Sequence, residues 1–205
     1  MKKQLVLVAV LGFSIPAFAD NLSTGIAAYT VLEQSGPATG NTGPGQIVTS
    51  SNADWYGGWV PNSALSSWIA YDPNNAFDNG LGTYSTTFTL TPGQVSTASI
   101  SGQWTLDDSG TLSLNGNLLG SLGDGNWGGL FAFSVGPGST DFVSGTNTLS
   151  IAITDTDQFL EGVNLQGTLS VASPVPEPSS LLLLFTIAVA ILLGVARPGK
   201  KATVA

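Results

Sequence analysis

Apolar residues recur at every second position through the second half of this chain, a period that leaves little room for anything but β-structure. Tyr84, Phe88 and Leu90 alternate with Ser85, Thr87 and Thr89, and Ala98, Ile100, Trp104 and Leu106 with Ser99, Ser101, Gln103 and Thr105. Phe131, Phe133 and Val135 repeat the pattern, as do Leu149, Ile151 and Ile153, then Val163, Leu165, Leu169 and Val171. Successive side chains of a strand point to opposite faces, so each run predicts one face on a core and one in water. Thr91-Pro92-Gly93, Asp108-Ser109-Gly110, Asn115-Gly116-Asn117, Gly136-Pro137-Gly138 and Ser144-Gly145 punctuate the runs as turns. Asn115-Gly116 sits between two apolar runs, where a two-residue hairpin turn needs positive φ. Short strands at this spacing predict an all-β antiparallel sandwich.

The charges are distributed as unevenly as the apolar residues are evenly. All five basic residues lie at the ends: Lys2 and Lys3, then Arg197, Lys200 and Lys201, with no histidine anywhere. Of the 13 acidic residues only Glu177 lies in the tail, so residues 20–173 carry 12 acids, no cation and a charge of −12. Nucleic acid is excluded as a partner, because neutralising phosphates needs Lys and Arg. Cysteine is absent, so an exported domain here relies on packing or metal ions rather than disulfides. About 150 residues bury roughly 68–70% of the unfolded surface, enough for a core without staples.

The two basic ends each flank an apolar run. Lys2 and Lys3 precede residues 5–13, and Ala17-Phe18-Ala19 then forms an A-x-A cleavage site before Asp20, so residues 1–19 read as a signal peptide. The last segment reads PVPEPSSLLLLFTIAVAILLGVARPGKKATVA, with an apolar span over about 179–196 followed by cations that favour the cytoplasm. Pro176-Glu177-Pro178, a serine pair, an unbroken apolar helix and a basic terminus resemble the PEP-CTERM sorting signal of bacterial exported proteins. The resemblance covers residues 175–201, and residues 174–205 form the sorting segment. It implies recognition by a membrane-embedded exosortase, cleavage near Pro176-Glu177-Pro178, and a Gram-negative source that makes exopolysaccharide. The expected path is an inner-membrane-anchored precursor, then the cell surface or extracellular matrix.

Within residues 20–173 a second resemblance arises. Leu114-Asn115-Gly116 and Gly145-Thr146-Asn147-Thr148-Leu149, set among the strands of residues 98–171, look like the jelly-roll sandwich of galactose-binding-like and glycosidase accessory domains. This implies a jelly-roll-like fold for the ectodomain and leaves its ligand open, since fold does not fix function.

Trp55, Tyr56, Trp59, Trp68 and Tyr71 crowd into 17 residues. Trp55, Trp59 and Trp68 are candidates to stack on sugar rings, and packing of the core is the alternative use of such side chains. Asp72, Asn74 and Asp78 in one loop, with Asp155 and Asp157 in another, supply the oxygen ligands that Ca²⁺ takes, although neither matches the twelve-residue helix-loop-helix calcium loop. Solvated acidic turns are the plain alternative. Triads based on Ser-His or Cys-His lack their base. Only paired carboxylates remain for catalysis, Asp108 with Glu161 among them, and sequence spacing does not supply the separation that glycoside hydrolysis depends on. The chain therefore reads as a non-enzymatic, exported, surface-sorted protein with a polysaccharide- or matrix-binding ectodomain. A structural surface protein without a specific ligand and a carboxylate-dependent glycosidase are the alternatives.

Overall fold

The computed structural model describes residues 17–34, 39–74, 81–154 and 160–172, together with Phe185, Thr186 and Val189. Twelve strands are found among them: β1 (Phe18–Asn21), β2 (Thr30–Glu33), β3 (Thr42–Pro44), β4 (Gln46–Ile47), β5 (Ile69–Ala70), β6 (Leu81–Leu90), β7 (Ala98–Asp107), β8 (Ser109–Leu114), β9 (Asn117–Leu122), β10 (Phe131–Val135), β11 (Gly145–Thr154) and β12 (Gly162–Val171). They form two antiparallel six-stranded sheets within one compact unit, Pro16–Ala172. Sheet A runs β10-β7-β12-β5-β4, with β1 also paired to β12; sheet B runs β3-β2-β6-β11-β8-β9.

The alternation read from the sequence sets the inner faces. Tyr84, Phe88 and Leu90 of β6 and Leu149, Ile151 and Ile153 of β11 are buried in one cluster with Ile100, Trp104 and Leu106 of β7 and Val163, Leu165 and Leu169 of β12. Sequestering apolar side chains of this size stabilises by about 1.5–3 kcal/mol each, which is what holds the two sheets together. Phe131 departs from the pattern: at the start of β10 it is 40% exposed. Gly102 of β7 and Gly167 of β12 pair directly, and the Phe133 ring lies over both. A Cβ at Gly102 would come within 2.2 Å of the Gln166 carbonyl and 2.9 Å of Phe133, so the close approach requires glycine there.

Two turn signals are realised as local chemistry demands. Asn115 (φ 52°) and Gly116 (φ 84°) make the tight β8–β9 hairpin, both in the left-handed region. The buried Asn147 side chain accepts from Val143 N–H at 2.9 Å and donates to the Val143 and Gly145 carbonyls, fixing the entry into β11. Asp108-Ser109-Gly110 is different from expectation. There the chain does not reverse; it steps from β7, paired with β12 in sheet A, to β8, paired with β11 in sheet B. Gly110 serves close packing rather than a turn, since a Cβ would lie 2.1 Å from the Ala152 carbonyl.

Candidate functional site

The outer face of sheet A bears a second apolar layer. Because Leu106 and Val163 point inward, their neighbours Asp107 and Gly162, which pair across β7 and β12, point outward. The segment joining β4 to β5 crosses above them and places Trp59 and Trp68 there, with Val48 and Ala70, as a buried cluster. The two indoles stack with centroids 4.0 Å apart and planes 16° from parallel. Trp59 Nε1 donates to Asp107 Oδ2 at 2.6 Å, and Trp68 Nε1 donates to the Val60 carbonyl at 2.7 Å, so both indole N–H groups are satisfied as buried ones must be. Gly162 makes room underneath: a Cβ would meet Trp59 at 3.0 Å and Trp68 at 3.1 Å.

Aromatic side chains continue from this stack to the surface. Trp55 is half-buried and meets Trp59 edge-on at 6.0 Å. Tyr56, 42% exposed, meets the half-buried Trp127 edge-on at 5.9 Å, and Val60 N–H donates to the Trp127 carbonyl at 2.8 Å. The Tyr56 ring lies so close over Gly58 that a Cβ there would be 2.5 Å away. Of the three tryptophans singled out from the sequence, Trp59 and Trp68 are therefore interior, and only Trp55 approaches solvent. Apolar crowding drew attention to residues 55–71 as a block, but a period cannot tell which rings the loop folds under. Trp127 was missed. Its signal is Gly-Asp-Gly-Asn-Trp-Gly-Gly, residues 123–129, where an indole has glycines rather than apolar residues around it.

The buried acidic residues gather at one end of the sandwich. Glu33 ends β2, Asp107 ends β7, Asp108 links it to β8, and Glu161 precedes β12; these four and Asp54 are buried. A Cβ at Gly82 would lie 3.1 Å from Glu161 Oε1 and 3.5 Å from both Glu33 carboxylate oxygens, so these two carboxylates converge on one glycine. Tyr84 donates its hydroxyl proton in a short hydrogen bond to Glu161 Oε1. Burial pushes the Tyr84 phenol well above its usual range, and the charges of Glu161, Glu33 and Asp54 push the same way. Asp108 and Glu161, the pair considered for glycoside hydrolysis, are both interior.

Asp72 and Asn74, proposed as calcium ligands, form a local turn: Asn74 N–H donates to Asp72 Oδ1 at 3.1 Å, and Asn74 Oδ1 accepts from Asn52 Nδ2 at 2.9 Å. Asp78, Asp155 and Asp157 lie outside the described residues. Among the described residues no group of three or more acidic side chains is placed to hold a metal ion. Ala17 is exposed, and Ala19 pairs with Ser170, so cleavage after Ala19 would divide β1. Pro176, Glu177 and Pro178 lie outside the described residues, as does most of the apolar span. Among the described residues no helix is long and apolar enough to cross a membrane.

No family model matches the chain, and no curated protein matches it. Solved structures similar to it include a rhamnosidase from Novosphingobium sp. PP1Y, at 20% identity and a TM-score of 0.39, with 74% of this chain covering 12% of that one. A β-glucuronidase from Ruminococcus gnavus is 13% identical at a TM-score of 0.42, over 82% of this chain and 31% of its own. One from an uncultured Clostridium sp. is 10% identical at 0.43, over 81% and 30%. The chain thus spans less than a third of these proteins, and overlaps this loose carry no argument about activity. What the strand pairing itself establishes is that the described residues 17–172 form an all-β unit of two antiparallel sheets.

Proposed function

We propose that this chain is the precursor of an exported, surface-sorted protein whose jelly-roll-like ectodomain is a non-catalytic module for binding cell-surface or matrix polysaccharide. The observation that supports this reading is the surface pair Tyr56 and Trp127, braced through Trp55 and Val60 on the buried Trp59–Trp68 stack. Aromatic faces held rigid before binding lose little conformational freedom on contact with a sugar ring, and the ring's apolar face is what they recognise. The sorting half of the proposal rests on the resemblance at Pro176-Glu177-Pro178, which makes an exosortase the processing partner and the membrane a temporary one. Calcium is the proposed ion, with Asp72, Asn74, Asp78, Asp155 and Asp157 as its candidate ligands.

The test is affinity electrophoresis of the full-length protein in mild detergent, through gels containing exopolysaccharide from the producing organism. Tyr56→Ala should lose retardation while its stability changes by only about 0.5 kcal/mol, as for an exposed site. Trp127→Ala should lose it as well. Unchanged retardation of both variants would remove the aromatic surface from the function and leave a structural surface protein as the better reading.

A further inference from the structure

Beside the tryptophan layer, the outer face of sheet A holds a shallow groove of about 660 Å³ across β10, β7 and β12; its lining includes Phe133 and Leu119 and, facing outward, Ser101, Gln103, Ala132, Ser134, Gln166 and Thr168. The strand register sets these outward residues in two rows. Ser134, Ser101 and Thr168 lie side by side, and so do Ala132, Gln103 and Gln166. Neighbours in a row are about 4.8 Å apart across the strands, and the rows about 6.6–6.8 Å apart along them. Not one of these side chains is charged. None of the five polar ones makes a side-chain hydrogen bond to the described protein, so their donors and acceptors face water.

We propose that this groove is the floor of the polysaccharide site and that it takes an uncharged glycan chain, with Gln103 and Gln166 as the central contacts. The inference rests on the binding-module reading above and adds both the place and the ligand class. Each glutamine amide offers two donors and an acceptor, and two amides side by side match sugar hydroxyls, which also donate and accept. A uronate or sulfated chain would need Lys or Arg, which recognise such anions through charge-assisted hydrogen bonds. Residues 4–196 contain neither. Instead an anionic chain would meet exposed Asp124 in the loop before β10. The groove is also continuous with the aromatic surface. The outward residue after Gln103 on β7 is Thr105, whose hydroxyl donates to the Asn126 carbonyl at 2.8 Å, so the loop bearing Trp127 is tied down one row beyond the two amides. One glycan chain can then lie along the groove and reach the Tyr56–Trp127 edge.

The deciding experiment compares full-length protein in mild detergent on gels containing hydroxyethyl cellulose, galactomannan or polygalacturonate. We expect retardation by at least one neutral polymer and none by polygalacturonate at low salt. Gln103→Ala/Gln166→Ala should weaken the neutral interaction about tenfold or more with an unchanged melting temperature, as the loss of two pairs of hydrogen bonds implies. Ser85→Ala/Thr87→Ala, on the outer face of sheet B, should leave it intact. If the glutamine double variant binds as the parent does while Tyr56→Ala does not, the groove is overturned and the aromatic reading survives. Equal or stronger retardation by polygalacturonate would overturn the ligand class. Retardation by none of the three polymers, nor by the producer's exopolysaccharide, would overturn the binding-module reading and this inference with it.

Discussion

Along the same strands, β7 and β12, the outer face of sheet A is dry at one end and wet at the other. At the dry end Asp107, Gly162 and Asn164 lie buried, with Trp59 and Trp68 packed over Asp107 and Gly162; at the wet end Gln103, Ser101 and Thr168 are exposed. Strand geometry is equal in the two halves, and so is the alternation of side chains. The difference lies in what crosses above: the Val48–Trp68 segment covers one half and nothing among the described residues covers the other. Covering creates obligations. Asp107 accepts from Trp59 and Thr105 donates to Asn126, while Asn164 Oδ1 has no hydrogen-bond partner among the described residues. The open half meets the same need with water, which leaves its amides and hydroxyls available to a ligand. A covered, stabilising region and an open, polar region thus share one sheet face.

Removing the cover should have the largest effect. Trp68→Ala deletes a fully buried indole and its stacking partner's support, and should cost about 3–5 kcal/mol in urea denaturation. Binding by the open half should fall only to the extent that the protein unfolds. A loss below about 1 kcal/mol would mean that the tryptophan layer is a loose lid rather than a second core.

Alkaline titration sharpens the contrast between dry and wet polar groups. Burial raises the phenol of Tyr29, whose hydroxyl donates to the Leu22 carbonyl at 2.7 Å, and raises that of Tyr84. A raised phenol keeps its proton in the folded state while the unfolded chain releases it near pH 10. The stability from each tyrosine is therefore complete below pH 10 and is lost as pH rises above it. Two such groups give a decline of about 2.7 kcal/mol per pH unit above that point. Denaturation at pH 8, 10 and 11 measures it, and Tyr29→Phe should halve the slope. A flat profile from pH 9 to 11 would contradict the burial of both phenols.

The smallest effect concerns calcium. The Asp72–Asn74 turn is joined to the covering segment through Asn52 and through Asp54 N–H, which donates to the Pro73 carbonyl at 3.0 Å. An ion bound there would fasten the cover. Calcium at ten times its dissociation constant should add about 1.4 kcal/mol of stability, read as a rise in melting temperature. Magnesium should add less, because it gives up its water reluctantly. Equal shifts from Ca²⁺, Mg²⁺ and NaCl at matched ionic strength would reduce the effect to screening of twelve acids.

Particular residues show why some of this was legible in advance. The inward sets of β6, β7, β11 and β12 follow from a period of two, because a pleated strand leaves no other way to hide every second side chain. Asn115-Gly116 announced its hairpin because few other residues tolerate positive φ at both turn positions. Asp108-Ser109-Gly110 has the composition of a turn and yet joins the two sheets, since a glycine needed for close approach looks the same in sequence as one needed for φ. Trp59 and Trp68 could not be told from Trp127, because burial of a loop side chain depends on a glycine about a hundred residues away, Gly162.

Composition and period alone thus determined a β-rich chain with one apolar face per strand, and a domain in which no basic side chain answers twelve acids. These are local or additive properties, and each follows from the residues taken in order. Tertiary structure decided which outward face is covered, which aromatic rings reach water, and that Gln103 and Gln166 stand side by side. Those outcomes depend on strand register and on contacts between residues far apart in the chain, and neither is encoded in the neighbourhood of any single residue.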